Sequence, residues 1–469
     1  MMNKNEYKNF DAIGLANLVK NREVSPYELL DLAIEITEEN ESEISALNTR
    51  LYEEARSYIK NELSGGYLEG VPFLVKDLNV SIKGIPTTMT CDLFKDNIAD
   101  FNSNLIEQYK KAGFVIFGLT KTPEMALSLT TEPLAHPPTR NPINIKYSPG
   151  GSSGGSAAAV CAGYVPAAHG TDGGGSIRVP AALCGLFGLK PSRGRISSGP
   201  LIGEGLGGMV TSHVITKSVR DSAAILDISK NNFLGEPYYT TDEKVFLNEI
   251  DKPANKLKIA YLTKDFFGTR LSKELTQNTI KIAKLCHSLG HEISEEEIYL
   301  GDFDVLRAWK ILPGVNLLNL ISQKCMSLKI DIKDANIEPL TMAWIEDAKS
   351  YSALDYHKTI NIMHAIGRKI SYYLSKYDLI LSPTLAIPKL EIGGIKGDHA
   401  DIDKHLNFLF KSFSPFTAIF NQSGGAAMSI PFGKTSDGFP LGMHFAGGIG
   451  DEMKLLKLAY QIEKTAPWI

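Results

Sequence analysis

Pro149-Gly150-Gly151-Ser152-Ser153-Gly154-Gly155-Ser156 places four glycines and three serines in eight consecutive positions. Three structures compete for such a segment: a phosphate cradle, a flexible linker, or a tight backbone platform that sets serine hydroxyls and N–H groups around a reacting atom. A phosphate-binding P-loop carries a lysine and a hydroxyl residue straight after its last glycine, whereas Ser156-Ala157-Ala158 follows here; the GxGxxG spacing of dinucleotide sites is missing too. A linker fits poorly, because apolar strand and helix candidates flank the segment on both sides. Gly151-Ser152-Ser153-Gly154-Gly155 formally satisfies GxSxG, the nucleophile elbow. That elbow also needs a later acid and histidine, and the pattern matches readily in any glycine-rich stretch.

Outward from this loop the chain alternates helix and strand. Ser156 to Gly163, SAAAVCAG, is small and apolar and predicts a buried helix emerging directly from the loop. Upstream, Ser25-Pro26-Tyr27-Glu28 combines an N-cap serine, a proline at the first helical position and a capping-box glutamate. Gly70 to Asp77 reads as a buried strand, Asn104 to Gly113 as a helix, and Val115 to Gly118 as a second strand. Leu257 to Leu262 and Leu379 to Leu381 predict further strands, and residues 353–375 a helix. This trading of helix and strand defines an α/β layering. The chain is read as one domain over 1–469. A polar stretch at 228–256 fits either a boundary between a core of about 65–230 and a second lobe of about 256–400, the first expected to hold the reacting groups and the second to form the pocket, or a surface excursion of one domain.

Composition narrows the function. With 43% hydrophobic and 22% charged residues the chain can build a large core, and a formal net charge of −4 leaves no basic footprint for nucleic acid or anionic membrane. No uncharged apolar run is long enough to span a bilayer, and the start MMNKNEYKNFDAIG lacks the apolar region of a signal peptide. Five cysteines without a CxxC pair fit reduced thiols, so a cytoplasmic location is expected, with Cys184 buried and inert. No metal is expected, since His169 and Asp172 have no third ligand nearby. A small molecule is the expected partner.

Two more segments carry chemistry. In Gly170-Thr171-Asp172-Gly173-Gly174-Gly175-Ser176-Ile177-Arg178-Val179-Pro180, three glycines before a serine let the backbone turn its N–H groups toward one point beside the hydroxyl, the geometry of an oxyanion hole. Lys76 ends an apolar strand, and an inward ammonium there is poorly solvated, so its pKa falls and the amine can accept a proton. Strand alternation puts Asp77 on the opposite face, where it need not neutralise Lys76.

These segments, with the continuation Ala181 to Pro191 and with Asn421-Gln422-Ser423-Gly424-Gly425-Ala426-Ala427-Met428-Ser429-Ile430-Pro431 near the carboxyl end, resemble the amidase signature family of serine hydrolases in order and spacing over nearly the whole chain. The resemblance implies a large twisted mixed β-sheet covered by helices on both sides. It implies Ser176 as the acylated nucleophile, Ser152 after a cis peptide bond as the bridging serine, and Lys76 as the ultimate base. Gly173, Gly174, Gly175 and the Ser176 amide would form the oxyanion hole, with Ser153, Asp172 and Arg178 in support. The implied reaction splits an amide into acid and amine or ammonia through an acyl-enzyme, with no histidine, metal or organic cofactor.

Met125, Trp309 and Leu317 lie in segments that resemble the family's pocket walls, although apolar residues serve more often as core. Within the family, the A subunit of the glutamyl-tRNA(Gln)/aspartyl-tRNA(Asn) amidotransferase is the alternative. It typically carries an SSNLARYDG-like stretch, absent here; Asn336 to Thr341, Pro415 to Asn421 and Lys190 to Arg195 look closer to stand-alone amidases, including those described as 6-aminohexanoate-cyclic-dimer hydrolases. A non-catalytic binding protein on the same fold is the second alternative, opposed by the presence of Lys76, Ser152 and Ser176. A homodimer is compatible with either reading.

Overall fold

The computed structural model describes residues 2–63, 65–230, 233–238 and 245–468. In chain order its strands are β1 (Leu47–Arg50), β2 (Pro72–Lys76), β3 (Val115–Thr120), β4 (Ala167–Asp172), β5 (Phe187–Lys190), β6 (Thr211–Thr216), β7 (Lys258–Leu262), β8 (Glu292–Glu296), β9 (Leu379–Pro383), β10 (Ala427–Lys434) and β11 (Pro440–Ala446). They form one mixed sheet in the order β1-β3-β2-β4-β6-β5-β10-β11-β9-β7-β8. β2 runs parallel to both β3 and β4, and β7 parallel to both β8 and β9, while the β4-β6-β5-β10-β11-β9 stretch is antiparallel. Helices cover both faces, which is why β2 is buried at every position and reads as a continuous apolar run rather than an alternation.

The expected local elements are present. Ser25 and Glu28 close a capping box at the head of the helix Pro26–Ile44, and helices occupy Asn104–Lys111 and Ala353–Leu374. Phe73 of β2 stacks on Phe114 with centroids 4.2 Å apart and meets Tyr109 edge-on at 5.0 Å, locking the 104–111 helix onto the sheet. Residues 231, 232 and 239–244 of the polar stretch at 228–256 lie outside the described residues. Beyond it, β7, β8 and β9 extend the same sheet. Among the described residues no helix is long and apolar enough to cross a membrane.

One boundary differs from expectation. The helix after the glycine-serine loop covers Gly154–Ala162 rather than starting at Ser156, so two glycines sit in its first turn. Packing is the reason: a Cβ on Gly155 would lie 2.5 Å from the Ala46 carbonyl oxygen and 2.7 Å from the Lys121 backbone nitrogen. The glycines therefore serve close approach to neighbouring backbone, not flexibility.

Packing here should override helix propensity. Gly367, inside the helix Ala353–Leu374, has only Ser423 near its Cβ position, at 3.5 Å. Gly367→Ala should raise stability by about 0.5–1 kcal/mol, the propensity gain alone. Gly155→Ala should lower it by about 1–3 kcal/mol, because two backbones cannot both give way. Urea unfolding of the two variants checks the contrast, and a stabilised Gly155→Ala would refute it.

Candidate active site

β2 delivers Lys76 to the centre of the molecule, with no exposed surface. Its Nζ lies 2.7 Å from Ser152 Oγ, 3.0 Å from Ser153 Oγ and 2.7 Å from Thr171 Oγ1. Asp77 turns away, accepting from the Thr88 N–H at 2.9 Å and from Asn48 Nδ2 at 2.6 Å. Burial holds the Lys76 pKa well below the ordinary lysine range, and the Asp172 charge opposes that shift without cancelling it. The Lys76 N–H is received by Nδ1 of buried His169 at 3.3 Å, an imidazole that burial keeps neutral by lowering its pKa to about 3. Among the described residues no cluster of histidine, cysteine, aspartate or glutamate could hold a metal.

Proton accounting separates the two adjacent serines. The Ser153 hydroxyl donates to the Thr171 carbonyl at 3.1 Å and accepts the Thr171 N–H at 3.2 Å. Its only proton is committed, so toward Lys76 it acts as an acceptor. A neutral amine has two N–H groups and one lone pair; Ser152 or Thr171 must fill the lone pair. Ser152 Oγ has no partner besides Lys76 among the described residues, and the Gly151–Ser152 peptide bond is cis.

β4 ends at Asp172, and the glycine run turns the chain so that Ser176 precedes the helix Arg178–Cys184. Gly175 has φ +135°, and a Cβ there would lie 2.6 Å from Thr417 Oγ1. The Gly175 N–H, expected among the anion donors, is instead taken by Asp172 Oδ1 at 2.8 Å. The N–H groups of Gly173, Gly174 and Ser176 keep no acceptor among the described residues. The Ser176 hydroxyl is also free of hydrogen bonds among the described residues. It shares with Ser152, Thr171, Gly173 and Gly174 the lining of a cavity of about 400 Å³, within the usual range for small-molecule sites.

Asp172 and Arg178 form the buttress behind this turn. The guanidinium donates through Nε and NH2 to the two Asp172 oxygens at 2.9 Å, and through NH2 to Asn421 Oδ1 at 2.7 Å and NH1 to the Thr417 carbonyl at 3.0 Å. Asn421 Nδ2 returns a bond to Asp172 Oδ1 at 2.9 Å. Burial pushes the Asp172 pKa up, and the Arg178 charge and hydrogen bonds outweigh it, holding the carboxyl well below the usual carboxylate range.

Met125, Trp309 and Leu317 all line the cavity. Sequence reading missed three neighbours of the site: Phe410, whose ring lies 4.9 Å from that of Trp309; Asn421; and Thr171. Thr171 had a legible signal, since alternation along β4 puts it on the same face as His169. Phe410 had none.

A central mixed sheet with a buried lysine, paired serines and a glycine-lined cavity defines a hydrolase architecture. A family model, Amidase, matches residues 28–456, and the chain belongs to this family, the amidase signature enzymes that hydrolyse carbon–nitrogen bonds. It is similar to the 6-aminohexanoate-cyclic-dimer hydrolase of Paenarthrobacter ureafaciens, at 33% identity over 98% of this chain and 95% of that protein. A solved structure of 6-aminohexanoate cyclic dimer hydrolase matches with a TM-score of 0.93 and 33% identity, covering 98% of this chain and 97% of the other. The corresponding glutamyl-tRNA(Gln) amidotransferase subunit of Thermotoga maritima is more distant, at 29% identity over 86% of each chain.

Removing the buttress leaves buried groups orphaned. Asp172→Ala should destabilise the protein by about 3–5 kcal/mol, the loss typical of breaking a buried ion pair from one side. Because pairing lowers the folded-state pKa, the stabilisation is complete above about pH 4 and lost only as the pH falls well below it. Thermal melts from neutral to acid pH compare wild type with the variant; equal melting temperatures at neutral pH would overturn the role.

Proposed function

We propose that the chain is a stand-alone amidase that acylates Ser176 through a Ser176-Ser152-Lys76 relay. The observation that carries this is a fully buried Lys76, its pKa held low by burial, with Nζ 2.7 Å from Ser152 Oγ in a cavity that Ser152 and Ser176 both line. Ser152 gives its proton to the Lys76 lone pair and takes the Ser176 proton as Ser176 Oγ attacks the amide carbonyl carbon. The oxyanion is held by the N–H groups of Gly173, Gly174 and Ser176. As the C–N bond breaks, the proton returns from Lys76 through Ser152 to the leaving nitrogen. Water then uses the same relay to release the acid, giving acid plus amine or ammonia. Asp172, Arg178 and Ser153 hold the turn and the loop in place. The segment of about 65–230 supplies the chemistry, while Trp309 and Phe410, from beyond residue 256, wall the pocket as one catalytic unit with it. The lower similarity to the amidotransferase protein supports action without tRNA, ATP or a partner chain.

A serine-directed fluorophosphonate should label Ser176 in the isolated chain, as mapped by mass spectrometry. An adduct that persists in Ser176→Ala would exclude the nucleophile.

Lys76 works as a base only when deprotonated, so kcat/KM should rise with pH through its lowered pKa and then level off, a limb that Lys76→Ala should lose with most of the rate. Ser152→Ala should lower kcat by about 10²–10⁴-fold. Ser153→Ala should lower it by no more than about tenfold, because it loses hydrogen bonds rather than a proton carrier. Steady-state kinetics on folded variants decide this: equal losses at the two serines would mean a shared relay.

A further inference from the structure

The cavity that Ser176 and Ser152 share carries almost no charge. Its walls near the reacting groups are apolar, among them Met125, Leu206, Val210, Trp309 and Phe410. No lysine, arginine or histidine lines it among the described residues; its one ionisable side chain is Glu204, which is exposed at the solvent end. Arg178, the cation nearest the glycine turn, cannot serve a substrate, because it is fully buried and its guanidinium is engaged by Asp172, Thr417, Asn421 and His444.

Glu204 is positioned from behind. The Tyr238 hydroxyl donates to Glu204 Oε2. Arg193 stacks over the Tyr238 ring, 5.8 Å from its centroid, and directs its guanidinium to the carbonyls of Gly208 at 2.7 Å and Gln422 at 2.9 Å. The charged and titratable groups around the carboxylate are thus Arg193, Tyr238 and Tyr356, and no cation lies within ion-pairing distance of it among the described residues. Arg193 weakens the carboxylate's field but leaves an uncompensated negative rim on an otherwise uncharged cavity.

Resting on the reading of Ser176 as nucleophile, we propose that this site selects amides that are uncharged and apolar around the scissile bond, and that Glu204 sorts them by the charge at the far end, favouring an ammonium and rejecting a carboxylate. A carboxylate drawn into the cavity would lose hydration without meeting a cation, and one reaching the rim would meet a like charge. An ammonium at the rim keeps its water and gains an opposite charge.

Two sets of three amides test this. In the first, p-nitroanilides carry hexanoyl, 6-aminohexanoyl or 5-carboxypentanoyl groups. In the second, hexanamides carry N-hexyl, N-(6-aminohexyl) or N-(5-carboxypentyl) groups. In the set whose variable end reaches the rim, kcat/KM for the ammonium compound should exceed that for the carboxylate by about tenfold or more at low ionic strength, with the gap narrowing as salt is added. Glu204→Gln should shrink the ratio, and Glu204→Lys should invert it. Because Glu204 is exposed, both variants should fold, and wild type alone already gives the ratio and its salt dependence. Equal rates for the two charges in both sets, or a ratio that survives Glu204→Lys, would overturn the charge selection while hydrolysis of the neutral amides left the nucleophile assignment standing. Failure to cleave any of the six, together with absent fluorophosphonate labelling of Ser176, would overturn both.

Discussion

Lys76 sits at the end of a strand buried on every residue, its amine surrounded by three hydroxyls, with no carboxylate in ion-pairing distance among the described residues. Carboxylates there would favour the protonated lysine; an apolar shell would leave its N–H groups unsatisfied at a cost of several kcal/mol. Hydroxyls meet both demands, because each can donate or accept as the protonation state of the nitrogen changes. The rest of the architecture serves to hold Ser152, Ser153 and Thr171 in that shell, the two serines on a loop bent tightly against its neighbours and Thr171 on β4.

The tightness has a source in the glycines. Around the loop they bring backbone against backbone, as at Gly155 with Ala46, where any side chain would clash. At Gly175 a positive φ turns the chain so that the N–H groups of Gly173, Gly174 and Ser176 remain unpaired among the described residues. Asp172, Arg178 and Asn421 hold that turn by a closed set of hydrogen bonds spanning more than half the chain. Their charges are spent on one another, so they shape the site without marking its specificity. That is left to walls built from distant segments and to Glu204 at the rim.

What was legible in the sequence was local. The glycine-serine loop, the glycine run before Ser176 and the apolar strand ending in Lys76 could be placed because turn geometry and strand burial follow from a few neighbouring residues. The capping box at Ser25 and the alternation of helix and strand were readable for the same reason. Thr171 could have been read from its place on β4, one strand position from Asp172.

Tertiary structure decided the rest, because it depends on which distant atoms arrive where. The Ser153 hydroxyl is directed at the Thr171 carbonyl across the loop, and the Gly175 N–H is taken by the Asp172 carboxylate. Phe410 enters the cavity through packing against Trp309, roughly a hundred residues earlier in the chain, with no periodicity to announce it. Residue types and local turns thus determined which polar groups the strand ends and glycine turns present, while the direction of each hydrogen bond and the shape of the cavity came from contacts between segments remote in sequence, which no local pattern encodes.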